Sequence, residues 1–281
     1  MKRLAIALSL QIAVGLILKC DHPSSRADDG PGDEAARATR MTADEAKLWS
    51  IRVDDDASHS SVAGKDPNLR YTNPGVGRVY GNVYLFVADG RPAAVMSIFK
   101  WFTPWTGFEA EIQSLSTSPL KGYRAGQLVW EPARPGIEWH DVPDGPAPAA
   151  LAVARLGQMR SIADGFAGRL VDRRVASMGE DQVLRLLPRP FYRYEPRDLP
   201  IRDGGLFAFV LGTDPEVFLL LETKETPRGP RWQYGLARMN SDPVQVTFRG
   251  QEVWRVEKVG DRYDPRGSYF SKELPQGSVV P

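Results

Sequence analysis

The chain has 281 residues, 42% hydrophobic and 25% charged, an ordinary globular balance with enough apolar material for a substantial core. A formal charge of +1 excludes a bulk electrostatic attraction to nucleic acid. A single cysteine excludes an intrachain disulfide and any site built from several thiolates.

Lys2-Arg3, an apolar run from Leu4 to Leu18 and the small-x-small triplet Ser25-Arg26-Ala27 have the layout of a secretory signal peptide, residues 1–27. The run is shorter than the roughly 20 residues needed to span a bilayer. An uncleaved anchor is the rival reading, and Lys19 before Cys20 disfavours a lipoprotein. Cleavage removes four basic residues and one acidic residue, changing the formal charge from +1 to −2, and removes Cys20. Localisation is therefore expected to be periplasmic or extracellular, with no membrane span after cleavage.

Residues 28–41 read as a flexible polar leader. Thr42 followed by Glu45 is a capping-box pattern, which predicts a short helix carrying Leu48, Trp49 and Ile51. Residues 54–67 read as a polar connector. Strands are predicted over 79–87, 94–101, 108–116 and 127–130, with Asp89-Gly90-Arg91-Pro92 as a turn; residues 42–142 form a first unit. A Pro/Ala-rich linker over 143–148 precedes a predicted amphipathic helix over 149–171, marked by Met159, Ile162, Phe166 and Leu170. Strands follow over 183–194, 206–210, 217–222, 232–239, 244–248 and 252–259, which completes a second unit over 143–260. Residues 261–281 read as a polar, irregular tail.

Gly126-Gln127-Leu128-Val129-Trp130 returns as Gly250-Gln251-Glu252-Val253-Trp254, Pro119 as Pro243, and Phe86-Val87 as Phe209-Val210. This recurrence predicts an internal duplication. The expected fold is α+β: two related units, each a helix plus an antiparallel β-meander, packed as one pseudo-two-fold globule. Residues 83–87, 206–210 and 217–221 are apolar at both parities, so those strands should be covered on both faces. A cystatin-like sheet curled around a helix is the nearest analogy, and such folds host many functions.

The segment from Lys100 to Phe108 is crowded with aromatic rings, whereas its counterpart from Thr223 to Arg231 is polar and charged. Trp101, Phe102, Trp105 and Phe108 are therefore candidate ligand- or partner-binding residues, because such rings stack on sugars or apolar surfaces. The alternative is that they tuck against the neighbouring unit. Glu109 and Glu111 share one face of a strand and could act as an acid and base pair. Surface carboxylates on a wet strand face are the far commoner arrangement. Asp54-Asp55-Asp56 with His59 lacks the alternating ligands and glycine of a calcium loop and reads as a solvated connector. Ser97-Ile98-Phe99-Lys100 falls in a strand and lacks the companion motifs of penicillin-binding enzymes. No nucleotide, hydrolase-elbow or zinc-helix motif is present. No catalytic residue, metal or cofactor is assigned.

Gly90-Arg91-Pro92, the stretch 111–116, Gln158-Met159-Arg160 and Gly212-Thr213-Asp214-Pro215-Glu216 together resemble exported bacterial proteins of uncharacterised function. That resemblance implies export and the two-part layout, and transfers no site residue. The expected function is a non-enzymatic binding or interaction protein of the cell envelope, its partner an envelope component or small ligand and not nucleic acid. The alternative is a cryptic carboxylate-dependent hydrolase.

Overall fold

A computed structural model describes residues 31–54, 60–171, 181–196 and 201–276. The predicted signal peptide lies outside the described residues, as do Asp55, Asp56 and His59.

The described residues form two helices and eighteen strands. In chain order, α1 (Pro31–Ala46) leads to β1 (Trp49–Val53), β2 (Ser60–Val62), β3 (Leu69–Thr72), β4 (Arg78–Ala88), β5 (Arg91–Thr103) and β6 (Phe108–Ser114). Next come β7 (Leu120–Arg124), β8 (Gln127–Trp130), β9 (His140–Asp141), α2 (Ala152–Ala163), β10 (Phe166–Leu170) and β11 (Gln182–Leu186). The remainder is β12 (Tyr192–Tyr194), β13 (Gly204–Leu211), β14 (Asp214–Lys224), β15 (Arg231–Arg238), β16 (Val244–Phe248), β17 (Gln251–Val256) and β18 (Tyr269–Glu273).

The expected α+β fold of two helix-plus-meander units is corrected by this architecture, which is mostly β with a curled antiparallel half-barrel sheet. Three antiparallel sheets carry the structure: four strands in the order β2-β1-β7-β8, five in the order β18-β6-β5-β4-β3, and nine running from β17 to β9. Two of them draw strands from beyond the expected unit boundaries. β18, inside the supposed tail, pairs along β6 from Tyr269 opposite Gln113 to Glu273 opposite Glu109. β9, from the first segment, pairs with β15.

The helices also depart from expectation. The 28–41 leader largely belongs to α1, which ends where the capping box was expected to start a helix. Thr42 is buried inside α1, accepting a hydrogen bond from Asn82 Nδ2 and donating to Thr39 O. The helix expected over 149–171 stops at Ala163. Phe166 and Leu170 instead face the core from β10, a strand of alternating burial whose period-two pattern overlaps the helical spacing.

Three apolar layers hold the sheets together. One face of β4, β5 and β6 packs with Trp49, Ile51, Leu120 and Trp130 beneath the four-stranded sheet. The opposite face, through Val83, Leu85, Val95 and Phe99, meets Leu206, Val210, Phe218 and Leu220 of the nine-stranded sheet. The other face of that sheet closes on Met159, Ile162 and Ala163 of α2. Central strands β4, β13 and β14 are thus buried on both faces, and their non-alternating apolar runs follow from that position.

Candidate functional site

Strand parity decides what β6 presents to its surroundings. Phe108, Ala110 and Ile112 enter the apolar layer under the four-stranded sheet. Glu109, Glu111 and Gln113 therefore project toward the nine-stranded sheet. At the margin of the inter-sheet layer a cleft of about 470 Å³ opens, with Glu109 and Glu111 on one wall and Asp214, Glu216 and Asp242 on the other. Trp101 and Trp105 line its mouth, and Arg262 and Glu273 complete it.

The aromatic segment is held by the β5–β6 connection. Trp101 N–H donates to Gly107 O at 2.8 Å, and the Trp101 and Trp105 rings meet edge to face with centroids 5.0 Å apart. The segment also presses against Gly77, where a β-carbon would lie 2.2 Å from Thr103 O and the φ of +143° is itself unfavourable to a side chain. Trp105 is 63% exposed, unusual for the largest apolar side chain.

The four expected aromatic residues are thereby divided. Trp101 and Trp105 line the cleft. Phe108 is buried in the layer beneath the four-stranded sheet, on the opposite face of β6 from the cleft. Phe102 packs edge to face on Tyr80 and lies 5.6 Å from the Lys100 ammonium. Alternation along β5 sets Trp101 and Phe102 on opposite faces.

The electrostatics of the cleft are dominated by burial. Burial pushes the Glu111 carboxyl up to about 8, assisted by the neighbouring Glu109 charge and opposed by the hydrogen bond from Tyr269. Tyr269 Oη donates to Glu111 Oε1 at 2.6 Å. Glu109 is also raised by burial, with Arg262 opposing the shift and Glu273 adding to it. Its Oε1 is buried and forms an ion pair with Arg262 Nη2 at 3.1 Å, without an assigned hydrogen bond. Tyr71, buried on the cleft floor, shares a 2.8 Å hydrogen bond with Ser97, which places that serine in a structural contact. The site can therefore offer tryptophan rings, a carboxyl whose ionisation burial pushes up to about 8 and a second carboxyl ion-paired with Arg262.

Sequence reasoning identified Glu109 and Glu111 but missed Asp214, Glu216, Asp242, Arg262 and Glu273. The last two belong to the stretch read as an irregular tail. Its alternation of Tyr269, Ser271 and Glu273 around Phe270 was the available signal for a strand. Three arginines on or beside the entry strands, which could have bound an acidic group, make local contacts instead: Arg193 donates to Asp203, Arg185 to Gly212 O, and Arg78 lies 3.5 Å from Glu34. Among the described residues, no group of three or more His, Cys, Asp or Glu side chains is placed to hold a metal ion. No described helix is long and apolar enough to cross a membrane.

No protein-family model, curated protein or solved structure matches the chain.

Proposed function

We propose that this is an exported envelope-binding protein that holds its ligand in the cleft between Trp101, Trp105, Glu109 and Glu111. Export rests on the N-terminal sequence pattern. The carrying observation for the site is the convergence of two tryptophans, Trp105 exposed and Trp101 half-buried, on the Glu109 and Glu111 carboxyls in one cleft. The rings supply stacking area with little conformational entropy to lose.

Co-sedimentation with washed, insoluble envelope material tests the reading. The Trp101→Ala/Trp105→Ala double variant should lower the retained fraction about tenfold while melting cooperatively, the loss of roughly 1.4 kcal/mol. Retention equal to that of the wild type removes the cleft as the binding site.

A second reading is favoured by one observation: Glu109 and Glu111 lie on one strand face in the same cleft, where burial raises both carboxyls, Glu111 to about 8. A pair of neighbouring carboxyls can serve hydrolysis as acid and base. Time-dependent release of reducing ends from envelope glycans, abolished in Glu111→Gln, would establish that chemistry; no release between pH 5 and 8 would dismiss it.

A further inference from the structure

The polar row on β6 does not end at Glu111. Gln113 is the next residue on the same face, and it lines a second cleft of about 390 Å³. This cleft opens between β15 and β17, with Trp254, Tyr234, His140 and Arg238 around it. Gln113 is 1% exposed. Its Nε2 donates to Ser114 O at 2.8 Å and to Gly136 O at 3.3 Å, which fixes the amide's orientation. Its Oε1 is left buried without a partner.

The two clefts are neighbours. Arg238 lines the second and donates to the backbone oxygens of Asn240 and Asp242, which line the first. Tyr269 sits opposite Gln113 in the β6–β18 ladder while its hydroxyl reaches Glu111. Arg238 thus joins the linings of the two clefts, with the buried Tyr269 bridging Gln113 and Glu111 behind them. Gln113 Oε1 is a buried acceptor without a partner, and Glu109, ion-paired with Arg262, stands four residues away on the same strand face, about 13 Å along the strand. A tryptophan stands in each cleft.

We infer that the two clefts are subsites of one groove for an extended, uncharged polyhydroxy chain, an oligosaccharide several rings long. This rests on the first cleft being the ligand site. Stacking on Trp105 and Trp254 suits the apolar faces of successive sugar rings, and a hydroxyl donor suits the unpartnered Gln113 oxygen. A peptide suits that acceptor less well, because it brings a carbonyl acceptor for every N–H donor. The carboxylates of the first cleft disfavour an anionic glycan.

Calorimetric titration with neutral chitin oligosaccharides from the monomer to the hexamer tests the inference. Affinity should rise at least about tenfold from dimer to hexamer, equivalent to roughly 1.4 kcal/mol. Trp254→Ala and, independently, Gln113→Leu should erase that gain without changing dimer affinity, whereas Trp105→Ala should weaken both lengths. Using two substitutions guards against a folding defect in either, and each variant's melting curve verifies its fold.

Affinity independent of length, with Trp105→Ala harmful and Trp254→Ala silent, would overturn the two-subsite groove and leave the single cleft standing. Absence of binding at every length would overturn the groove, while envelope co-sedimentation decides the first cleft separately. Equal binding of a Gly-Ser peptide of matching length, or of a galacturonate hexamer, would overturn the assigned chemistry.

Discussion

Glu111 shows how one side chain can be favourable for a site and unfavourable for the fold. Its carboxyl ionises in the unfolded chain near 4.5 but in the folded protein only near 8. Between those values the folded state binds the extra proton, so stability falls as pH rises and levels off above about 8. Glu111→Gln retains an acceptor for Tyr269 and removes the buried charge. The variant should be more stable than wild type by about 4 kcal/mol at pH 8 and nearly equal to it at pH 4, as read from urea unfolding at each pH. A pH-independent difference would mean that Glu111 does not titrate in this window. The pairing of Glu109 and Glu111 on one face was legible from alternation alone. Their burial was not, because it depends on side chains more than a hundred residues away, including Tyr269, 158 positions along the chain.

At the scale of elements, β18 is the least expected and among the most consequential. It covers the edge of β6, and Phe270 adds to the apolar layer behind it. Trp130 Nε1 donates at 2.8 Å to Gly267 O, just ahead of that strand. A chain stopped after Gly260 should therefore lose cooperative unfolding and bind a hydrophobic dye, since it exposes Ala110 and Ile112 and leaves the β6 edge open. A sharp, wild-type-like melt would show that β18 is dispensable. Long apolar strands such as β4, β5, β13 and β14 were readable because their runs are unambiguous. β7 and β10 were not: Gly122 and Gly168 interrupt them, and β10 imitates a helical period. The recurring Gly-Gln-x-Val-Trp coincides with two hairpins whose turns, Ala125-Gly126 and Arg249-Gly250, share positive φ values. That local turn chemistry explains why Gly recurs without specifying the sheets around it.

For the whole molecule, the joint between the five- and nine-stranded sheets is both apolar and ionic. Arg91, at the start of β5, makes a two-pronged bond to Glu222 of β14 at 2.8 and 3.1 Å. Glu222 is fully buried and also receives Tyr194 Oη at 2.6 Å and Gln233 Nε2 at 3.2 Å. Removing the arginine leaves a buried carboxylate with only neutral donors. Arg91→Ala should cost about 2–3 kcal/mol in chemical denaturation, and adding Glu222→Gln should recover part of that loss. No recovery would indicate that Arg91 acts mainly through its packing over Trp139, where its guanidinium lies 4.7 Å from the ring centroid. The sequence announced neither partner, because ion pairing across sheets leaves no periodic trace.

The late arrival of β18 also sets a timetable for the ribosome. The five-stranded sheet begins with β3 near residue 69, yet its outer edge cannot close until residues 269–273 have emerged. Throughout translation of the intervening half-barrel, the nascent first sheet must wait incomplete, with its glutamate-bearing strand unsealed. Native closure of that sheet is consequently delayed until a segment 158 positions beyond Glu111 has been made, a long-range pairing that slows assembly.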